Sequence, residues 1–384
     1  MINKAVVWTL ALTLSATGLF AQSTSTNRLG QDLNAITTGI PFLLIAPDSR
    51  AGAMGDVGAA TSADVNSIHW NPAKYAFIEQ PLALNTSYIP WLRNIVDDIN
   101  FANLSGAYRL NENQTLAASL MYFSLGNITF TNSLGTTIGN HKPNEFSLDF
   151  AYALKLSKKM SGGVAFRYAH SNLTGGYAPD GQLAKPGNAY AGDISFFYTN
   201  PISLSGKNAD LNFGAVVSNL GSKISYGDNS YEEFIPANLR IGTALNLEID
   251  SYNKIMFAVD VNKLLVPTPT VTINDTIYGI ESDGISVPTA VFQSFYDAPG
   301  GFTEELHELM YSVGLEYWYN NQFALRGGYF DEHATKGNRK YFTMGVGVKL
   351  NVFSIDFAYM LPSAGRQNPL ANTLRFTLGF NFAE

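Results

Sequence analysis

The chain has 384 residues, 46% of them apolar but only 14% charged, against about a quarter charged in ordinary soluble domains. Its net charge of −7 and pI near 5.3 exclude the basic footprint that nucleic acid requires. With no cysteine there is no disulfide framework, thiol nucleophile or cysteine-based metal site. Aromatics reach 13%, with 20 Tyr, 25 Phe and 34 Gly. That mixture suits strands whose outer face meets lipid, whereas a soluble β-sandwich would carry more Lys and Glu on its water face.

At the N-terminus, Lys4 precedes an apolar run from Ala5 to Phe20 and then Ala21, before the polar Gln22-Ser23-Thr24-Ser25. This predicts a signal peptide over 1–21, with Leu19 a mediocre residue at the −3 position. Beyond it no run of 18 or more apolar residues follows, so no membrane-crossing helix is expected. Residues 22–80 read as an N-terminal extension and plug. Within it, Ile36 to Glu79 does not alternate and carries Gly52, Gly55, Gly58, Trp70 and Pro72. A periplasmic extension is the plain alternative.

Residues 81–384 are expected to form an all-β, antiparallel transmembrane barrel. Alternation of period two recurs in segments about ten residues long. Strands are predicted at 82–89, 101–110, 114–125, 145–156, 160–171, 188–198 and 210–219. Further strands are predicted at 238–249, 254–262, 309–319, 322–332, 340–350, 352–361 and 373–382. That is about fourteen, an even number as bacterial single-chain barrels have. Short connections (111–113, 157–159, 250–253, 320–321, 351) alternate with long ones (90–100, 126–144, 172–187, 220–237, 263–308, 362–372), with 199–209 and 333–339 of middling length. An up-and-down barrel with short periplasmic turns and long outer loops gives that alternation; a Greek-key sandwich gives no reason for it.

Register assigns the faces, because side chains alternate across a strand. The apolar set faces lipid, and the other set brings Arg109, Lys155, Arg167, Arg240, Arg326, Lys349 and Arg375 into the lumen with Asp149, Asp193, Glu248, Asp260, Glu316 and Asp356. The signs nearly balance, which predicts a lumen crossed by ion pairs and partly filled. Arg109, Asp149, Arg167, Arg240, Glu316, Arg326, Asp356 and Arg375 are the structural network expected there; solvated lumen residues are the bland reading.

No catalytic site and no metal or other cofactor is legible. The five histidines (His69, His141, His170, His307, His333) show no ligand spacing, and no G-x-S-x-G elbow is present. Gly52-Ala-Met-Gly55-Asp-Val-Gly58 lacks the strand, helix and Lys-Ser/Thr of a phosphate loop, so tight backbone packing is its reading. Asp228, Glu232 and Glu233 read as solvated loop charges. In the long connection 263–308, Phe292, Phe295 and Tyr296 place aromatics on an outer loop, and Phe302 to Leu309 reads as a short amphipathic helix. Such groups mark a partner surface or fold back as a lid.

Ser49 to Asp64 (SRAGAMGDVGAATSAD), followed by Trp70-Asn-Pro-Ala73, resembles the N-terminal signature of FadL-like outer-membrane proteins. Ile40 to Arg50 (IPFLLIAPDSR) and Ala215 to Tyr226 (AVVSNLGSKISY) are similar to the PorV (LptO) family of the type IX secretion system of Bacteroidota. The resemblance runs over nearly all of the chain after the signal peptide. It implies a fourteen-stranded barrel that binds the C-terminal signal domain of secreted cargo, associates with the SprA (Sov) translocon, and carries cargo to the PorU-containing attachment complex. Outer-membrane lipid and lipopolysaccharide would surround it. The family supplies no cargo-binding motif, but outward loops would do this work, which directs attention to Phe292, Phe295, Tyr296 and Phe302. Many barrels end on an aromatic residue, whereas here Phe382 is followed by Ala383-Glu384. The alternative is a FadL-type transporter of hydrophobic small molecules, which needs an apolar pocket and a lateral opening; an outer-membrane hydrolase would need a triad at the rim.

Overall fold

The computed structural model describes residues 34–384 apart from 94–95, 132–133, 177–184, 228–230, 274, 283, 364–371 and 383–384. The predicted signal peptide, Asp228 and the last two residues lie outside the described residues. Fourteen strands alternate apolar and polar positions and close into one barrel. They are β1 (Leu82–Pro90), β2 (Ile99–Asn111), β3 (Gln114–Leu125), β4 (Asn144–Lys155), β5 (Met160–Asn172), β6 (Gly187–Leu204) and β7 (Lys207–Gly221). Then follow β8 (Asn238–Glu248), β9 (Asn253–Leu264), β10 (Met310–Tyr319), β11 (Phe323–Asp331), β12 (Lys340–Leu350), β13 (Phe353–Pro362) and β14 (Leu374–Phe382). Each pairs antiparallel with the next, and β14 returns to β1 with Leu82 opposite Phe382 and Tyr88 opposite Phe376.

The period-two pattern decides which face is which. On β12, Phe342, Met344 and Val346 point outward and exposed while Tyr341 and Thr343 are buried on the inner face. Leu104, Phe150, Phe166, Ile194, Leu325 and Ile355 continue the outward apolar surface around the wall, a belt that only lipid can cover without large cost. No described helix is long and apolar enough to cross a membrane.

One connection differs from the sequence reading. The middling stretch 199–209 is mostly strand: β6 and β7 continue to a two-residue turn at Ser205-Gly206, both with positive φ, as a hairpin turn matched to sheet twist requires. Thr199, Asn200 and Pro201 break the apolar alternation and so hide the strand. With that correction, every short turn lies at one end of the barrel. The long connections at the other end carry structure of their own, including the hairpins Ile128–Thr131/Thr137–His141 and Val271–Ile273/Thr276–Tyr278. Short turns are periplasmic and long loops extracellular in barrels of this kind.

Residues 34–80 run against the inner wall. They contain two short helices, α1 (Ser49–Gly52) and α2 (Ser67–Trp70), and the 3-10 turns Pro41–Leu44 and Pro72–Phe77. Asp48 caps α1 by accepting from Ala51 N, and its other oxygen accepts the Trp70 indole N–H at 2.7 Å. Ile40, Phe42 and Leu43 pack with Ile89, Phe101 and Phe123 at the long-loop end. Ile68, Tyr75 and Ile78 pack with Ala107, Ala117 and Ala153 toward the short turns. Inward-facing glycines of the wall admit this backbone: a Cβ at Gly214 would overlap the Ala59 carbonyl, and one at Gly328 would overlap Met54 and Gly55.

Candidate functional site

Two places concentrate unusual chemistry: the lumen, and the outer surface of the 265–309 connection.

In the lumen, Arg167 on β5 donates to Asp149 at 2.5 Å, lies 3.4 Å from Asp193 and also bonds the Asn219 side chain. Asn219 is a left-handed residue in a bulge, where the β6–β7 register shifts between Gly192 and Ile194, and its N–H donates to Asp193 at 2.7 Å. The bulge aims that amide inward. Across the barrel, Arg326 joins Glu316 (2.7 Å) to Asp356 (2.6 Å). Glu316 also takes Arg50 at 2.8 Å, and Arg50 reaches Asp64 at 2.8 Å. Asp260 accepts the backbone N–H groups of Gly58 and Ala59 at 2.7 and 2.9 Å, with Arg240 3.4 Å away. Arg240 in turn lies over the Trp70 ring and donates to the Asp56 carbonyl. Arg375 donates to the Gly52 carbonyl at 3.1 Å and stands 3.5 Å from Asp56.

Seven of the eight predicted lumen residues therefore sit in charge-paired contacts. Arg109, half-buried at the β2 end beside a register shift, shows no ion pair among the described residues. Sequence reasoning missed the other half of the network, Arg50, Asp56 and Asp64, because a segment without periodicity gives no face to its charges. Glu248 differs as well: it is exposed and pairs with Lys254 at 2.9 Å beside a short turn. Breaking one of the buried pairs would strand a charge, at about 3–5 kcal/mol. Their geometry fixes where the inner segment sits more than it adds net stability. Toward the short turns remains a cavity of about 560 Å³, whose lining includes Arg50, Asp64, Glu316, Arg326, Asp356 and Trp318. Its lining mixes these charged groups with apolar ones, among them Leu84, Phe197, Ile255 and Met256.

At the outer end, the 265–309 connection folds into α3 (Val287–Gln293) and α4 (Phe302–His307) beside the small hairpin. The Ser286 side chain caps α3, with Pro288 in its first turn. Beneath α4, Lys263 at the end of β9 pairs with Glu305 at 2.9 Å and Glu308 at 2.5 Å. Lys336, from the neighbouring 332–339 loop, pairs with Glu304 at 2.5 Å and Glu308 at 3.0 Å. Asn34 donates to the Pro269 carbonyl and to Glu304, and its N–H to the Thr335 carbonyl. His307 stacks on His333 with centroids 3.6 Å apart and rings 6° from parallel. Burial, then the neighbouring His307, holds His333 below the usual imidazole range. Burial pushes the Asp297 carboxyl up to about 6, aided by Glu305 and Glu308.

This pedestal presents apolar side chains to the outside. Phe292 is 71% and Phe302 77% exposed, with Phe295, Tyr296, Leu306, Ile277 and Tyr278 also open. The four aromatics singled out from sequence thus lie on one connection. No group of three or more metal-ligating side chains is placed together among the described residues.

Solved structures with the same architecture include the CymD monoaromatic hydrocarbon channel, with TM-score 0.52, 12% identity, and 89% of this chain and 99% of that one covered. A TodX deltaS2S3 mutant monoaromatic hydrocarbon channel gives TM-score 0.51 at 14% identity, covering 87% and 99%. The P. putida toluene transporter TodX gives 0.50 at 10%, covering 92% and 100%. At these identities the likeness shows the FadL-like fold alone. No curated protein matches the chain. The family profile of the type IX secretion system protein PorV matches residues 28–271, well over half of the sequence. The chain therefore belongs to the PorV family of type IX secretion system proteins, as a multi-pass β-barrel component of the outer membrane.

Proposed function

We propose that this barrel binds the C-terminal signal domain of secreted cargo on its outer loops, takes it from the SprA (Sov) translocon, and passes it to the PorU-containing attachment complex. The observation that carries the reading is the exposed aromatic face of the 265–309 connection, held on buried ion pairs. A large apolar surface facing water is costly unless a partner covers it. Residues 34–80 serve as a plug, so cargo is handled on the barrel's outside and does not pass through its lumen. The charge-paired lumen supports this division of labour.

A mild-detergent pull-down of the tagged protein from its native outer membrane tests the reading. Recovery of a very large barrel together with proteins sharing a C-terminal domain is expected. Recovery of this barrel alone, from membranes rich in such cargo, would shift the assignment to a FadL-type transporter of hydrophobic small molecules. That second reading draws on the shared fold and is opposed by the paired charges of Arg50, Glu316, Arg326 and Asp356 in the vestibule, whose lining also holds Phe197, Ile255 and Met256.

A further inference from the structure

The outer face has an electrical character that its aromatic content hides. Between Lys263 and Arg326 the sequence has no Lys or Arg, yet the 265–309 connection carries Asp275, Glu281, Asp283, Asp297, Glu304, Glu305 and Glu308. Three of these seven, Glu304, Glu305 and Glu308, point down into the pedestal and are paired with Lys263 and Lys336. Asp297 is buried against Thr268. Asp275, at the left-handed tip of the small hairpin, and Glu281 remain exposed.

Both belong to the stretch that runs from the small hairpin to α3. The Gln293 side-chain amide at the end of α3 donates to the Ile280 carbonyl, and Gly279 packs beside Pro299 and the Asp297 carbonyl. The stretch Ile277–Glu281 therefore lies alongside the turn that carries Phe295 and Tyr296. Phe295 in turn lies over Lys263, 5.9 Å from its ring centre. Hairpin, α3 and α4 thus present exposed apolar groups together with the exposed acids Asp275 and Glu281, while Lys263 and Lys336 are committed underneath.

We propose that this face receives a partner surface with an apolar centre and a lysine- or arginine-bearing edge. On the function proposed above, on which this inference rests, that surface belongs to the C-terminal signal domain of cargo. The aromatic centre supplies most of the affinity. The acidic edge supplies orientation and encounter rate, and it turns away the anionic headgroups that surround an outer-membrane protein. Phe292, Tyr296 and Phe302 are the anchors, and Asp275 and Glu281 the edge.

The test uses the full barrel in lipid nanodiscs and a purified C-terminal signal domain as probe, with affinity and association rate measured at low and high salt. The paired substitution Asp275→Lys and Glu281→Lys is expected to slow association about tenfold at low salt. That difference should fade at high salt, where surface charges are screened. Phe292→Ala with Tyr296→Ala is expected to weaken binding about a hundredfold at both salts. All four positions are exposed, so folding is not at stake, and Glu281→Gln provides an intermediate step. Binding to the unaltered barrel with no response to salt or charge reversal overturns the acidic-edge assignment and leaves the proposed function standing. Faster binding after reversal overturns it too, by revealing an anionic partner edge. No binding to the unaltered barrel overturns the proposed function, and this inference with it.

Discussion

Asp297 is a carboxylate that the outer loop bends to accommodate. One oxygen accepts from Thr268 N at 3.2 Å while the other, buried, finds no partner among the described groups. An acid raised from 3.8 to about 6 stabilises the folded loop while protonated, so that support is lost as pH rises from about 4 through 6. His333 works the other way. Its neutral form is favoured in the stack, so the loop weakens as pH falls below the ordinary imidazole value of 6.5. In Asp297→Asn the carbonyl still accepts from Thr268 and the penalty at neutral pH disappears. Loop stability should rise by about 1 kcal/mol at pH 7.5, after allowance for screening by nearby water. Limited proteolysis would read this as slower cutting within 265–309, and the gain should vanish near pH 4. Equal cutting rates at pH 7.5 would show that the carboxylate carries no strain.

At the scale of elements, the inner segment and the wall fit through missing side chains. Gly214 on β7, Gly314 on β10 and Gly328 on β11 leave room where the backbone at 54–59 lies against the sheet. Gly328→Val or Gly214→Val must push that backbone away, at about 1–3 kcal/mol or more. Each should lower the thermal midpoint and, on the plug role proposed above, raise single-channel conductance in planar bilayers, because the segment is pushed off the wall. Gly162→Ala, whose nearest neighbour would be Leu156 at 3.7 Å, should change neither. Much of this scale was legible in advance. Alternation at Phe342, Met344 and Val346 gave the lipid face, and the same register put Arg326, Glu316 and Asp356 together inside. The fit between segment and wall was not legible, because Gly52, Gly55 and Gly58 signal close packing without naming the surface packed against. The charges of Arg50, Asp56 and Asp64 carry no period that would point them at Glu316 or Arg375. The α3 helix escaped notice too: seven residues with β-branched Val287, Thr289 and Val291 make no helical signal by themselves.

For the whole molecule, the polarity of the barrel can be read chemically. Because the chain has no native cysteine, single introduced thiols report their surroundings cleanly. Tyr296→Cys, on the outer face, should react in intact cells with a membrane-impermeant maleimide. Asn321→Cys, at a short turn lining the vestibule, should react only after the outer membrane is opened. The reverse pattern would invert the assignment of ends and remove the aromatic surface from the cell exterior.

The path of residues 34–80 also constrains how the molecule is made. The segment starts among the outer loops, where Asn34 is tied to Thr335 and Pro269. It descends past Gly58 and Asp260 and leaves at the opposite mouth to begin β1. Inserting Trp70, α1 and α2 into a ring already closed would demand that their packing against the wall form from inside a confined lumen. We expect the sheet to wrap around the segment, with the β14–β1 seam zipped late. That seam joins Leu82 to Phe382, among the longest sequence separations in the barrel, and such distant pairings form slowly. On that order of events, the segment packed against the inner wall is also the mould on which the cylinder closes.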